Sequence, residues 1–270
     1  MKNYEFQKLG FIGCGNMATA MIKGILAKGI VRAADVIGSN SSEVSAQKTQ
    51  RETGIIVTTD NVRVAEEADI IFLCVKPDRY EPVIKEIRDS VCDTNIIVSI
   101  TPAKTFQWME QQFGKEVKAV RTMPNTPCMV GEGLTGVCYN GLVLEKEKEQ
   151  LEILLNSFGE IVIVPEALME VVAAAAGSSP AFIYMIIEAM ADAAVEAGMP
   201  RDNAYRIAAQ AVAGSGKMVL ETGRHPGELK DAVCSPGGST IAGVRVLEEH
   251  GMRGVIMDAL KASIEKAKEM

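Results

Sequence analysis

The feature that most constrains this chain is a regular alternation of short apolar runs with stretches of helical periodicity. Runs such as "KLGFIG", "DVIGSN", "DIIFLCV" and "NIIVSI" recur up to about residue 164. Strands that are apolar along both faces must be covered on both faces, which happens when helices pack on each side of a parallel sheet. The alternation therefore predicts a doubly wound α/β domain over residues 1–164.

The second part of the chain, residues 165–270, has helical periodicity without strand-like runs and predicts an all-α domain. A helix predicted over residues 180–197 carries acidic side chains only at Glu188, Asp192 and Glu196. Such a row is typical of one solvated stripe rather than a metal cluster. The rest of that helix is apolar, more than a domain of about one hundred residues is expected to cover. We therefore expect these helices to complete their core with another subunit.

Composition excludes several classes of protein. The net charge is -7 and no Lys/Arg block is present, which argues against nucleic acid and favours a small-molecule substrate. The six cysteines show no C-x-x-C spacing and only two histidines are present, so no metal site is predicted. The first residues show no signal pattern, and acids interrupt the most apolar segment. These patterns predict a cytoplasmic location and no membrane span.

A glycine motif stands at the first predicted strand-to-helix turn. Residues 13–18 read Gly-Cys-Gly-Asn-Met-Ala and fit the fingerprint G-x-G-x-x-A. In that fingerprint the first glycine makes the turn, the second lets a pyrophosphate approach the backbone, and the helix N-terminus faces the anion. The motif predicts a Rossmann-like dinucleotide site; the alternative is a close-packed turn that binds nothing.

The end of the next predicted strand indicates which dinucleotide is bound. Where an NAD-preferring site would place an acid, the chain reads "VIGSNSSE", with the uncharged Ser39, Asn40 and Ser41. Because these groups can accept a 2′-phosphate that a carboxylate would repel, we expect NADP(H) to be preferred, with NAD(H) as the second cofactor. The alternative is an ordinary polar turn. "CVKP" and "SITP" end further strands at the same sheet edge, although Lys76 fits a surface lysine equally well.

A second glycine-rich helix start lies at residues 235–240, "SPGGST". Gly237, Gly238, Ser239 and Thr240 would present free backbone N–H groups, the positive end of a helix dipole and two hydroxyls. This arrangement predicts a carboxylate-binding site. The alternative is a Ser/Thr N-cap after a Pro-Gly turn, which has only a structural role.

The helical half offers no convincing general base, since His225 lies in a turn before a proline and neither Lys217 nor Lys230 is compelling. An alcohol dehydrogenase needs such a base, whereas an imine can arrive already protonated and accept hydride directly. The residues therefore favour imine reduction over alcohol oxidation.

Several segments resemble the pyrroline-5-carboxylate reductase family over nearly the whole chain: "GFIGCGNMA", "MPNTP", "GSSPA" and "VCSPGGSTIAGVRVLE". The resemblance implies reduction of L-1-pyrroline-5-carboxylate to L-proline with NAD(P)H, the final step of proline biosynthesis. It also implies a Rossmann domain followed by a helical dimerisation and substrate-binding domain. Family members commonly form interlocked homodimers, and five of these often assemble into a decamer.

The resemblance also implies which residues bind the ligands. Gly238, Ser239 and Thr240 would hold the substrate carboxylate, and the Thr240 hydroxyl would lie near the ring nitrogen as the catalytic group. The chain departs from the usual family pattern at Ile100–Lys104, at the alanines before "GSSPA" and at Phe182. Cofactor contacts are implied for Ile12, Gly13, Cys14, Gly15, Asn16, Met17, Ser39, Asn40, Asn61, Cys74, Val75, Lys76, Pro77, Ile100 and Thr101.

Two other functions stay open from the residues. One is a reductase of another cyclic imine or of a β-hydroxyacid on the same architecture. The other is a nucleotide-binding redox sensor or interaction protein without turnover.

Overall fold

A computed structural model describes residues 8–269, and its first part is built on an eight-stranded sheet. The strand order is β3-β2-β1-β4-β5-β6-β7-β8. All neighbouring strands within this sheet are parallel except β6 and β7, which are antiparallel. The strands are β1 Leu9–Ile12, β2 Val36–Ser39, β3 Ile56–Thr58, β4 Ile70–Leu73, β5 Ile96–Ser99, β6 Lys118–Pro124, β7 Gly133–Tyr139 and β8 Gly159–Ile163.

The antiparallel pair has a simple cause. The connection from Pro124 to Gly133 holds only a short 3₁₀ segment, Thr126–Val130, whereas a parallel crossover needs a dozen or more residues. The chain therefore returns along the neighbouring strand instead of crossing over.

Helices alternate with the strands up to β8, and the chain after β8 is helical. The predicted doubly wound sheet and the all-α second part are both confirmed. The helices are α1 Asn16–Ala27, α2 Glu43–Thr53, α3 Asn61–Glu67, α4 Tyr80–Ile87, α5 Phe106–Phe113, α6 Glu145–Leu155, α7 Met169–Val172, α8 Ser179–Glu196, α9 Arg201–Thr222, α10 Pro226–Ala232, α11 Ser239–Glu249 and α12 Met252–Lys268.

Two apolar cores cover the two faces of the sheet. Along β1, Leu9 and Phe11 belong to one core and Ile12 to the other, as the two-residue period of a strand requires. The Phe11 ring stacks on that of Phe72, with the ring centroids 4.5 Å apart. Because both faces are covered, the polar groups of the parallel strands are open to ligands chiefly at the strand ends.

The chain divides into two compact units, one running to Gly177 together with Ile264–Met270 and the other spanning Ser178–Ser263. In the second unit the buried apolar cluster consists of Ala191, Ala204 and Ala208. Larger apolar side chains on its helices are exposed, among them Met185, Leu220 and Met257. The sequence-based boundary between residues 164 and 165 stays a prediction, as does the absence of a signal peptide, which concerns residues 1–7 outside the described range.

Among the described residues, one helix, Glu166–Glu196, is long and apolar enough by length and composition to span a membrane, with mean hydropathy 1.5. Helices of soluble proteins also meet that test. A π-helical segment, Ala173–Ser178, lies within it. The three acids of α8 are exposed, and Asp192 pairs with Arg201. A solvated row of acids therefore runs along α8, as its sequence spacing predicts.

Candidate active site

The first glycine of the fingerprint is required by the turn after β1. Gly13 has φ +90°, a left-handed conformation that favours glycine. The N–H groups of Gly13 and Cys14 both donate to the Ser39 carbonyl, each at 3.0 Å. A Cβ on Gly13 would lie 2.6 Å from Val75 Cγ1. The turn is therefore packed between the ends of β2 and β4.

The second glycine has a different role. Gly15 is the N-cap of α1, has extended backbone angles and makes no side-chain cap. A Cβ built on Gly15 would have no neighbour within 4 Å. Ala18, by contrast, is 1% exposed and packs α1 against the sheet. The start of α1 thus offers unpaired N–H groups and the positive end of its dipole to an anion.

The end of β2 is polar, and it is tied to the start of α3. Ser39 is fully buried, and its Oγ donates to Asn61 Oδ1 at 2.7 Å. The Asn61 amide in turn donates to Glu86 Oε2 at 2.8 Å. Two predicted cofactor residues are therefore joined by a direct hydrogen bond.

Asn40 is fixed by two hydrogen bonds. Its backbone N–H donates to the Thr58 carbonyl at 3.0 Å, and its side-chain amide donates to Thr49 Oγ1 at 3.0 Å. The Thr49 hydroxyl in turn donates a hydrogen bond to the Cys14 carbonyl at 3.2 Å. This chain of bonds links the glycine turn to α2.

A cleft of about 390 Å³ opens between α1 and α2 beside this network. Three charged side chains on its wall were not predicted from the sequence: Lys23, Lys48 and Glu52. Glu52 lies 3.3 Å from the Lys23 Nζ and 3.9 Å from the Lys48 Nζ, so the three carry one net positive charge. The sequence could have indicated this wall, because the spacing of Ser45, Lys48 and Glu52 places all three on one face of α2.

The ends of β4 and β5 are held together by a buried tyrosine. Tyr80 Oη donates to the Leu73 carbonyl at 2.6 Å and accepts from the Ile100 N–H at 3.2 Å. Burial raises the pKa of Tyr80 well above its usual range, so the phenol stays protonated. Cys74 follows β4, and Lys76 precedes a 3₁₀ turn that begins at Pro77. The predicted cofactor residues therefore lie along one edge of the sheet.

The second glycine loop, in the helical unit, is an uncapped helix start. Gly237 has φ +69°, and the Gly238 N–H closes the preceding turn by donating to the Ser235 carbonyl at 3.0 Å. Gly238 itself is the N-cap of α11 and makes no side-chain cap. Ser239 and Thr240 are exposed in the first turn. Neither hydroxyl serves as the N-cap, which was the structural alternative for this loop.

Other potentially reactive side chains are hydrogen-bonded in a helix cap or buried. His225 is the N-cap of α10, and its Nδ1 accepts from the Gly227 N–H at 3.0 Å. Burial raises the pKa of the Cys14 thiol to about 12 and that of Cys138 to about 11. Within residues 8–269 no group of three or more His, Cys, Asp or Glu side chains could hold a metal ion.

Comparisons with known proteins agree along the chain. The family described as pyrroline-5-carboxylate reductase dimerisation matches residues 166–270, and the family NADP oxidoreductase coenzyme F420-dependent matches residues 8–103. The chain is 44% identical over 264 residues to the pyrroline-5-carboxylate reductase of Escherichia coli (strain K12), covering 98% of each chain.

Two solved structures show a similarity to the same family. The chain superposes on a pyrroline-5-carboxylate reductase from Coxiella burnetii with a TM-score of 0.90 and 33% identity, covering 97% of this chain and 98% of that one. The Plasmodium falciparum pyrroline carboxylate reductase with NADP bound gives a TM-score of 0.88 at 32% identity, covering 98% of each chain.

Proposed function

The chain belongs to the pyrroline-5-carboxylate reductase family, and from that premise we infer that it reduces L-1-pyrroline-5-carboxylate to L-proline with NAD(P)H. This reaction is the final step of proline biosynthesis. The observation that carries the substrate assignment is the uncapped start of α11, where Gly238 replaces a capping side chain and two hydroxyls stay exposed.

We propose that the dinucleotide pyrophosphate binds at the start of α1. Gly15 leaves open space there, and the first N–H groups of α1 have no side-chain cap. Asn40 and Asn61 would contact the adenosine ribose at the end of β2, and the fully buried Ser39 would hold the Asn61 side chain in place through its hydrogen bond. The net positive charge of Lys23, Lys48 and Glu52 on the cleft wall supports a preference for NADP(H) over NAD(H). Cys74–Pro77 and Ile100–Thr101 would lie along the nicotinamide half.

The substrate carboxylate is proposed to bind at the start of α11. Gly237, Ser239 and Thr240 offer backbone N–H groups at the positive end of the helix dipole, while Gly238, whose own N–H closes the preceding turn, leaves the helix start without a side-chain cap. The Thr240 hydroxyl, in the first turn of that helix, is assigned to the ring nitrogen as the catalytic group. A hydroxyl suits this position because it can hydrogen-bond the nitrogen in either protonation state.

The reaction does not require a strongly acidic or basic side chain. When bound, the reduced nicotinamide supplies a hydride to the imine carbon of the ring, which becomes C5 of proline, and the proton on the ring nitrogen is retained by the amine product. The chain orients the ring through its carboxylate and neutralises that charge, and such positioning lowers the barrier by fixing the reacting atoms in contact.

The helical part of the chain mediates oligomerisation, in agreement with the dimerisation family that it matches. We propose a homodimer, with a decamer as the larger assembly. Support comes from the second unit, whose buried cluster is three alanines while its large apolar side chains are exposed. On this proposal the apolar face of the helix Glu166–Glu196 meets protein rather than lipid, and the enzyme is cytoplasmic.

The test is an assay of the purified protein with pyrroline-5-carboxylate, following NADPH absorbance and identifying the product. A six-membered cyclic imine with NADPH and a β-hydroxyacid with NADP⁺ serve as competing substrates. We expect L-proline to form with the highest kcat/KM in this panel. NADPH binding without turnover of any substrate would instead favour a redox sensor.

Thr240 is tested by a matched pair of variants. Thr240→Ser keeps the hydroxyl and should retain most of the activity, whereas Thr240→Ala should raise KM and lower kcat/KM. Loss of one hydrogen bond to a charged group corresponds to about 10- to 100-fold in kcat/KM. Equal kinetics for Thr240→Ala and the wild type would remove the role assigned to this side chain.

A further inference from the structure

A buried arginine lies in β6, away from the glycine loops. Arg121 is paired in register with Ser99 of β5 and Cys138 of β7, and its side chain is 1% exposed. A guanidinium is always charged at neutral pH and is strongly disfavoured in a protein interior unless its charge and donors are matched. The partners of Arg121 therefore indicate what the residue holds in place.

Two of those partners are carboxylates that follow β8. Arg121 Nη1 lies 2.8 Å from Glu166 Oε1, and Nη2 lies 3.3 Å from Glu170 Oε1. Glu166 Oε1 also accepts from the Phe106 N–H at 2.8 Å. The guanidinium thus joins the sheet to the start of α5 and to the segment that begins the long helix.

The third partner is the loop after β5. Nη2 of Arg121 also donates to the carbonyl oxygen of Pro102. The other end of this loop is held by Tyr80, which accepts from the Ile100 N–H at 3.2 Å. Thr101 lies between these two anchors and is 6% exposed. Two buried polar groups therefore fix the backbone on both sides of Thr101.

We propose that Arg121 is a positioning residue for hydride transfer, acting through the Ile100–Pro102 loop. The proposal rests on the assignment of that loop to the nicotinamide, made above. Arg121 fixes the backbone of this loop at Pro102. A shift of the loop by about 1 Å moves the nicotinamide C4 relative to the substrate, and such a misplacement costs up to about 100-fold in rate.

Lysine cannot replace this side chain. The planar guanidinium reaches Glu166, Glu170 and the Pro102 carbonyl from two nitrogens, whereas an ammonium is a single point charge on a flexible stem. Arg121→Lys therefore keeps the charge but loses the geometry. Glu170→Gln is the milder variant, because it leaves the bonds of Arg121 to Glu166 and Pro102 in place.

The experiment measures the single-turnover rate of NADPH oxidation at saturating pyrroline-5-carboxylate, divided by the amount of NADPH bound. The NADPH Kd is measured separately by titration. Lys118→Gln is the matched control, because Lys118 is the first residue of β6 and pairs with Glu147 in a part-buried site. A purely structural role of Arg121 would lower stability without changing the rate per bound cofactor.

We expect Arg121→Lys to slow the single-turnover rate about tenfold or more, with the NADPH Kd close to that of the wild type. Glu170→Gln should slow it less, and Lys118→Gln should leave it unchanged. The proposal is overturned if both Arg121→Lys and Glu170→Gln react at the wild-type rate, or if Lys118→Gln slows the reaction equally. If Arg121→Lys does not fold, Glu170→Gln alone decides. A wild-type protein without turnover would instead refute the proposed function.

Discussion

Two glycines of the fingerprint, two residues apart, are expected to fail in opposite ways when each is replaced by alanine. Gly13 has φ +90°, and a Cβ there would lie 2.6 Å from Val75 Cγ1 and 3.0 Å from the Val75 N. Gly15 has extended angles, φ -81° and ψ -163°, and a Cβ there meets nothing within 4 Å. The first is required by the fold and the second by the ligand.

The magnitudes follow from these surroundings. At position 13 the left-handed backbone costs an alanine about 1–2 kcal/mol, and the contact with Val75 adds about 1–3 kcal/mol of overpacking. At position 15 alanine is free of strain, and the reduced freedom of the unfolded chain, about 0.4–1 kcal/mol, offsets the poorer helix N-cap that alanine makes, so stability should change little. The same methyl group would stand between the backbone and the pyrophosphate. It should weaken NADPH binding about 10- to 100-fold.

The assay pairs urea unfolding without cofactor with calorimetric NADPH titration, at one protomer concentration because assembly contributes to stability. We expect Gly13→Ala to lose stability and Gly15→Ala to keep it while losing affinity. The reasoning is refuted if Gly15→Ala binds NADPH as tightly as the wild type, or if Gly13→Ala unfolds at the wild-type urea concentration.

Three further outcomes are expected. Lys48→Ala removes a positive charge from the cleft beside Ser41. It should raise the Kd for NADPH about 3- to 10-fold and leave the Kd for NADH unchanged. An equal rise of both Kd values would place Lys48 away from the 2′-phosphate. At pH 8 iodoacetamide should label the exposed Cys92 and spare Cys14, because a pKa of about 12 leaves about one Cys14 side chain in ten thousand as thiolate. Alkylated Cys14 in the mass spectrum would contradict this. Leu220 of α9 is 80% exposed in one protomer, and Leu220→Glu, which places a charge there, should reduce the oligomer mass in light scattering. An unchanged mass would exclude Leu220 from the interface.

The sheet and the glycine turn could be predicted because local chemistry determines them. An apolar run such as residues 70–73 fits only a strand buried on both faces, and Gly13 fits a turn that no other residue adopts easily. The prediction of a parallel sheet was wrong for the pair β6 and β7, which is antiparallel. The short connection after Pro124 decides the direction of β7, and connection length becomes informative only once the strand ends are known.

The polar network of the site could be predicted only in part. Ser39, Asn40 and Asn61 follow from strand ends and family motifs, but the partners that orient them come from other helices. The sequence did not indicate that Arg121 is buried. Arginine side chains are usually exposed, so a single arginine in a strand gives no reason to expect a buried ion pair. The role of Arg121 depends on carboxylates 45 and 49 residues further along the chain, which only the fold brings to it.

The central claim is that hydride passes from the nicotinamide to the imine carbon of the pyrroline ring, which becomes C5 of proline. The most direct measurement uses NADPH carrying deuterium on both faces of nicotinamide C4, with pyrroline-5-carboxylate as substrate and mass spectrometry of the product. The account predicts L-proline with a single deuterium, at C5. Proline without deuterium, or oxidation of the cofactor without formation of proline, would contradict it.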